Sequence, residues 1–500
     1  MVVVDKSSGK FKELTTIGVS SDPQELDELE KKARLWIDKH TGQLALDFDE
    51  TEKAMQAALD TISRIERTLN NTPQVILEHI YRTIGFSAIE DEILRHLVVA
   101  RVCQPRSKVA TVEYLKSYFD EDVHLHNIYR YMDKLYNTQR EIVQHISVEH
   151  TMDVLGGRIG IVFYDVTTLY FESMPDPSDG LRDNGFSKDG KTAESQIVLG
   201  LLVSAKGYPL SYSIFNGKQY EGYTMIPVID DFVQRFNISD FVVVADSGLM
   251  SEKNMSLLES AGYKYIVGAR IRSESDAAKR WMLEQTKVDG ICHEFDKGGG
   301  RRLILNYSDK RAKKDANNRK KGVERLRKAY AMGTITKDKV NKRGYNKFLD
   351  ISKDISVSIN EDKIIDDARW DGLKGYVTNT SLDPVEVMNQ YHGLWVVERA
   401  FRIGKNNLEM RPMFHFTEKR IEAHICICFI ALKVYKELER RIHKAGLDMS
   451  VDRLLEIAKT ITTLRIKLPN GETLSKTLFT TPQQHQVKLL LDEFEKDKLV

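Results

Sequence analysis

Hydrophobic and polar positions follow a helical period over roughly the first 155 residues and change to a strand period near residue 158. In LTTIGVSSDPQELDELEKKARLWIDKH, Ser21–Asp22–Pro23 reads as a helix start, and charged helical spacing follows. ETEKAMQAALDTISRIERTL and IEDEILRHLVVARVC predict two more helices, and Gln104–Pro105–Arg106–Ser107–Lys108 then breaks the pattern. TVEYLKSYF, the polar turn DEDVHLH and NIYRYMDKLYNTQREIVQHI predict two helices across a turn. With Asn127, Tyr129, Arg130 and Lys134 on the second, this is compatible with a helix-turn-helix, and an ordinary helical hairpin gives the same pattern.

From residue 158, RIGIVFYDVTTLYFES alternates and is rich in β-branched and aromatic residues, predicting a strand with Asp165 in its middle. Met174 to Lys191 reads as an exposed loop. QIVLGLLVSA, a turn at Lys206–Gly207, and YPLSYSIFNG predict a hairpin, followed by a helix from Tyr223 to Phe236. FVVVADSGL is a further buried strand, with Asp246 at its C-terminal end before a Ser-Gly turn. A helix near Lys253 to Ala261 and the strand KYIVGARI complete the order β-β-β-α-β-α-β, a mixed sheet covered by helices. Acids fall on the first and fourth strands. A carboxylate inside such a strand is costly unless a metal, a basic partner or a wet edge compensates it.

Residues 272 to 374 interrupt this core with a helix around Ser275 to Gln285, strand signals in ICHEF, RRLILNYS and DISVSI, and the basic helical stretch RAKKDANNRKKGVERLRKAY. After it, GYVTNTSLDPVEVMNQYHGLWVVERAF leads into a predicted helix over Tyr391 to Lys405, with Ser381 or Asp383 as cap before Pro384. Tyr391, Glu398 and Lys405 recur every seventh residue and share one helix face, with Arg402 close by. The rival for this stretch is an amphipathic helix with a solvated charged edge. A helix from about Glu418 to Arg440 packs behind it, and the tail holds another helix and a TTLRIKLPNGETLS hairpin turning at Asn470–Gly471.

Charge changes the picture only locally. The chain has 74 Lys and Arg against 73 Asp and Glu, yet Lys297 to Lys347 alone has 18 against 4. Such a bias favours phosphate contacts over a merely solvated face, and points to Lys313, Lys314, Lys320 and Lys321 as DNA-contacting residues. Four cysteines give no framework of bridges, and Cys426 and Cys428, within apolar AHICICFIAL, read as buried thiols ahead of a zinc site. With no signal peptide and no apolar run of about 18 residues, a soluble protein of the cytoplasm, away from membranes, is expected.

Asp165, Asp246 and Glu398 form the set with the most specific chemistry. Two-metal phosphoryl transfer needs carboxylates holding two Mg²⁺ or Mn²⁺ ions roughly 3.5–4 Å apart. A sheet can bring the two Asp side by side, and a helix can lay the Glu across them. Tyr391, Arg402 and Lys405 would then contact DNA phosphates.

These residues resemble the DDE transposases of bacterial insertion sequences, specifically the class with a Y-x2-R-x3-E-x6-K signature. Tyr391, Glu398 and Lys405 stand at the Y, E and K, and Leu394 replaces the R, with Arg402 or Arg399 as alternative cations. FYDVTTLYFE and VVADSGL resemble the first and second D regions, and the resemblance covers about residues 158 to 435, with RVCQPRSK fitting one branch. It implies an α/β fold with an RNase H-like mixed sheet, a basic and partly β insertion, and a helical N-terminal domain. The implied layout is a DNA-binding domain over 1–155, core over 156–271 and 375–445, the insertion over 272–374 and a helical tail over 446–500. It also implies metal-dependent DNA transposition, with a homodimer acting on transposon ends at the nucleoid. A metal-dependent nuclease on the same fold and a non-catalytic DNA-binding relic are the rival functions. Trp370 and Trp395 read as core residues first and as stacking platforms for a flipped base second.

Overall fold

The computed structural model describes residues 1–41, 48–171, 180–185, 194–238, 240–249, 251–335, 340–341, 344–351, 357–468 and 470–497. Most of the loop expected over Met174 to Lys191 lies outside them, as do the first residues of DISVSI.

The chain forms two units, one of Met1–Thr68 with Thr463–Thr477 and one of Leu69–Thr462 with Leu478–Val500. In the first, strands Val2–Asp5 and Lys12–Thr16 pair as an antiparallel hairpin within a stretch expected to be mainly helical. Helices Pro23–Thr41 and Phe48–Ser63 follow. The helix expected across ETEKAMQAALDTISRIERTL stops at Ser63. Ile65–Leu69 is instead an outer strand beside Thr462–Lys467, which pairs on its other side with Thr473–Leu478. The C-terminal hairpin is thus as expected, and it recruits a strand from far away in the chain. A local window of periodicity does not contain that partner.

In the second unit, helices Thr72–Ile84, Glu92–Cys103, Leu125–Lys134 and Arg140–Val154 pack on one long helix, α6 (Glu418–Lys444). The sheet is built from β1 (Ile161–Tyr170), β2 (Ser195–Ser204), β3 (Pro209–Asn216), β4 (Val242–Ala245) and β5 (Lys264–Ala269), with α1 (Met225–Phe236) and α2 (Glu252–Ser260) between β3 and β5. This reproduces the β-β-β-α-β-α-β order read from the sequence. The insertion adds β6 (Cys292–Gly298), β7 (Arg301–Tyr307) and the basic helix α3 (Asp309–Ala331), and β8 (Leu373–Thr378), α4 (Pro384–His392) and α5 (Trp395–Arg402) follow as the chain returns to the core. Spatial order is β6-β7-β8-β5-β4-β1-β2, with β3 also on β2. β1, β4 and β5 run parallel, and their other neighbours run antiparallel. The strands of the insertion therefore extend the main sheet.

One face of this mixed sheet carries Phe163, Leu201, Val244, Ile266 and Tyr376 against α4, α5 and α6. The opposite face packs Val162, Tyr164, Val243, Ala245 and Val267 against α1 and α2. Cys426 and Cys428 are fully buried on α6, and burial raises both thiols. Among the described residues, no helix is long and apolar enough to cross a membrane.

A polar lock fixes α6. Glu437 is fully buried and accepts from the Tyr208 hydroxyl at 2.6 Å, Arg440 at 2.6 Å and Arg441 at 2.9 Å. Lys433, four residues earlier, donates to the Ser147 carbonyl at 2.7 Å and to Thr151. Burial pushes the Glu437 carboxyl up, but hydrogen bonds from Arg440, Tyr208 and Arg441 outweigh it and hold it at about 2. This folded value is below the ordinary 4.5, so the contribution to stability is complete above pH 4.5 and is lost as pH falls towards 2. Glu437→Gln is expected to cost about 3 kcal/mol in urea unfolding at pH 7, with a smaller loss relative to the parent at pH 3. Equal unfolding midpoints for the two proteins at pH 7 would show that the buried charge is not what fixes the helix.

Candidate active site

Strand register builds the site. Tyr164 pairs with Ala245 and Ala245 with Val267, so one step further along the parallel strands Asp165 stands beside Asp246 and Asp246 beside Gly268. Gly268 pairs with Tyr376, and Asp165 pairs with Leu201. A single row thus crosses the sheet as Tyr376, Gly268, Asp246, Asp165 and Leu201, all on the face covered by α4 and α5. Neighbouring strands lie about 4.8 Å apart, so the two residues are neighbours on one sheet face. Asp246 is exposed at the C-terminal end of β4, where α/β sheets open towards ligands.

The helix over this row is not one straight rod. α4 ends at His392, α5 begins at Trp395, and the chain continues into a wider turn over Ile403–Asn407. The break falls at Gly393 because the helix meets the sheet there. A Cβ on Gly393 would stand 2.6 Å from the Phe163 ring and 3.0 Å from the Gln390 carbonyl. Lys405, beyond α5, donates to the hydroxyl of Thr167. Phe163, Asp165 and Thr167 share a strand face, so these two contacts anchor the helix on either side of Asp165. Glu398 lies between the anchors along the chain, on the exposed side of α5.

Tyr391 is buried, and its hydroxyl donates to Asp246 at 3.0 Å. The same carboxylate oxygen accepts from the Ser247 backbone N–H at 2.7 Å. Space for the Tyr391 hydroxyl comes from Gly268, where a Cβ would approach it to 2.6 Å. Burial, then the charge and hydrogen bond of Asp246, then Tyr376 and Glu398, push the Tyr391 phenol well above its usual range. Lys374 on β8 holds its ammonium 4.5 Å from the Tyr391 ring centre. Burial and the charge of Arg311 lower its proton affinity, while Asp246 and Glu398 oppose them. Both acids therefore act on the same tyrosine and the same lysine.

The remaining sequence-selected residues separate clearly. Leu394 is buried, so the cation of the signature would be desolvated at that position. Arg399 pairs with Glu439 of α6, whereas Arg402 is exposed with no partner among the described residues. Lys313, Lys314, Lys320 and Lys321 are exposed on α3. The opposite side of α3 buries Val323 and Leu326 against Phe348 and Leu349. Arg319 is bound to Asp371 through two contacts of 2.5 Å. Trp370 is buried, but Trp395 is 55% exposed, contrary to its reading as core. In the helical hairpin, Lys134 pairs with Asp91 at 3.1 Å, and Tyr129 lies under Arg420.

Sequence reasoning missed Lys374 and Gly268. The signal for Lys374 is a lysine two residues before Tyr376 in an otherwise apolar strand, hence on the same face. Gly268 gives no signal until β5 is paired with β8.

Carboxylate oxygens suit Mg²⁺ or Mn²⁺. The arrangement, however, does not fit a bound ion as it stands. Among the described residues, no three His, Cys, Asp or Glu side chains are grouped closely enough to hold one. One Asp246 oxygen is already taken by Tyr391 and the Ser247 N–H.

Comparison with known proteins adds the following. A family model described as a transposase DDE domain matches residues 156–433. No curated protein matches the chain. Among solved structures, a piggyBac transposase synaptic complex with hairpin DNA, determined by cryo-EM, is similar at a TM-score of 0.35 and 9% identity, over 85% of this chain and 81% of that one. The Mos1 transposase paired-end complex with left transposon end has a TM-score of 0.16 and 9% identity, over 35% and 58% respectively.

Contact between Gly268 and Tyr391 is open to a double-mutant cycle. Gly268→Ala should cost about 1–3 kcal/mol of stability in the parent, because the added methyl meets the phenol oxygen. In a Tyr391→Phe background the same change should cost at least 1 kcal/mol less. Strict additivity of the two changes in thermal or urea unfolding would remove this contact from the description.

Proposed function

Because the chain belongs to the family of the transposase DDE domain, we propose that it cuts DNA at the inverted repeats of a transposon and joins the 3′ ends to target DNA. The observation that carries this reading is the register that sets Asp165 beside Asp246, with Glu398 borne over the same sheet face. The sheet order β3-β2-β1-β4-β5, with β1, β4 and β5 parallel, supports an RNase H-like core.

In the proposed reaction, water attacks the phosphorus at the transposon end and the bond to the 3′ oxygen breaks, leaving a 3′-hydroxyl. That hydroxyl then attacks a target phosphodiester and displaces the target's own 3′ oxygen. Asp165, Asp246 and Glu398 are the proposed catalytic residues and ligands for two Mg²⁺ or Mn²⁺ ions, which would supply charge stabilisation of the attacking and leaving oxygens. Lys405 and Arg402 are the proposed phosphate contacts at the site, and Tyr391 orients Asp246. Arg399, tied to Glu439, steadies α5 on α6 and is the weaker choice for DNA contact. The exposed lysines of α3 are proposed to track the DNA backbone. A homodimer is the proposed working state, one copy for each transposon end.

Asp165→Ala, Asp246→Ala and Glu398→Ala should each abolish cleavage of a plasmid carrying the gene with its flanking DNA, in Mg²⁺, while duplex binding changes little. Full cleavage by any one of them would take that residue out of the site, and cleavage by the parent without joining would indicate a nuclease.

Replacing Lys313, Lys314, Lys320 and Lys321 by Gln should flatten the log–log dependence of duplex binding on salt by up to about 3.6, at about 0.9 per phosphate contact. An unchanged slope would make these lysines a solvated face.

Arg402→Ala should slow strand transfer from a pre-cleaved end about ten- to hundredfold, and Lys405→Ala at least as much. Arg399→Ala should show mainly as lost stability. The reverse ranking of Arg402 and Arg399 in strand transfer would mean that α5 presents its other side to DNA.

A further inference from the structure

The chain between β3 and α1 leaves the sheet at the end where Asp165 and Asp246 stand. β3 and β1 are both antiparallel to β2 and so run the same way, as does β4. The single turn Glu221–Tyr223 that follows β3 presents Tyr220 and Tyr223, 60% and 56% exposed, with ring centres 5.4 Å apart in an edge-to-face arrangement. The Tyr220 ring lies on Gly222, where a Cβ would come within 2.5 Å of it. The Lys253 ammonium of α2 stands 5.5 Å from the Tyr223 ring centre. A lone exposed tyrosine is ordinary. This pair is mounted on both acid-bearing strands. Tyr164, the residue before Asp165, is fully buried and donates to the Thr224 hydroxyl at 2.8 Å, and Thr224 donates to the Glu221 carbonyl at 2.6 Å. Asn254, only 2% exposed, donates to the Gly222 carbonyl and, at 2.7 Å, to that of Leu249. The Leu249 N–H returns to the Asp246 carbonyl at 3.1 Å. Buried hydrogen bonds thus fix an exposed aromatic surface in relation to Asp165 and Asp246.

We propose that Tyr220, Tyr223 and Lys253 bind single-stranded DNA beside the acid row, the tyrosines stacking on its bases and the lysine meeting its backbone. This rests on the reading of the chain as an enzyme that acts on DNA. In a duplex the faces of each base are covered by its neighbours, so a base lies on a fixed tyrosine ring only once it has left the stack. Every base has such a face, so the contact tolerates any sequence. Half-buried Glu221 in the same turn disfavours a phosphate at the rings and leaves them to bases. Lys253 has no ion pair among the described residues, and Glu252 beside it in the chain is taken by Arg301 at 2.7 Å. Its contact with the Tyr223 ring consumes none of its hydrogen bonds, which are left for a phosphate.

The test uses full-length protein and fluorescence anisotropy with two labelled probes, an oligothymidylate and a duplex of the same length. Tyr220→Ala and Tyr223→Ala should each weaken oligothymidylate binding about five- to hundredfold, with duplex affinity and melting temperature close to the parent's. Tyr220→Phe, which keeps the ring, should bind like the parent. Lys253→Gln should flatten the log–log salt dependence of oligothymidylate binding by about 0.7, the value of one phosphate contact on a single strand. Unchanged oligothymidylate affinity in Tyr220→Ala, or an equal loss on the duplex, overturns the proposal, as does a parent that does not bind the oligothymidylate. If Tyr220→Ala lowers the melting temperature and both affinities together, the ring is structural and the proposal fails. A parent that binds the oligothymidylate through Tyr220 yet cuts no plasmid carrying the gene with its flanking DNA would overturn the transposase reading and leave this surface standing.

Discussion

Two like charges on neighbouring strands define this molecule. The pairing of β1 with β4 ends one residue short of Asp165 and Asp246 and so sets them side by side on one face. Carboxylates so close repel each other and need compensation where they stand. Compensation comes from several parts of the chain. The turn after β4 gives Asp246 the Ser247 N–H and α4 gives it the Tyr391 hydroxyl, while Lys405 beyond α5 donates to Thr167 on the same strand face and Lys374 of β8 rests on the Tyr391 ring. Several parts of the second unit therefore meet over these two strands, whose pairing fixes where they stand.

The parts legible in the sequence were those whose cause is local. Alternation around Asp165, the apolar run before Asp246 and the Lys206–Gly207 turn each lie within one short window, and the strands and hairpin formed where those windows put them. Convergence of the two aspartates was permitted by the sequence but not contained in it, because it depends on register between segments some eighty residues apart. The same limit explains Ile65–Leu69, whose strand character depends on a partner near the C-terminus. The break at Gly393 was missed for another reason: helix periodicity continues across it, and only the Phe163 ring beneath makes the glycine necessary.

Charge was legible in amount and not in use. The basic stretch reads as one block, yet its members do different work. Arg319 is bound to Asp371, and Arg327 meets Glu361 at 2.8 Å, while the four lysines stay exposed. Likewise Arg399 and Arg402, three residues apart, divide between an internal ion pair and open solvent. Composition cannot make that division, since it depends on which acids the fold brings within reach.

The place of β8 in the sheet has a mechanical consequence. It enters between β7 and β5, with backbone ladders on both sides, so the basic helix before it is not suspended from a flexible tether. Swinging the insertion as a rigid arm would require the β5–β8 ladder to shear, and that ladder includes Gly268, the floor beneath the Tyr391 hydroxyl. A load on the basic helix therefore reaches Asp246 through a stiff, hydrogen-bonded plate, and the grip on a long ligand and the alignment of the acids are strained or relaxed together.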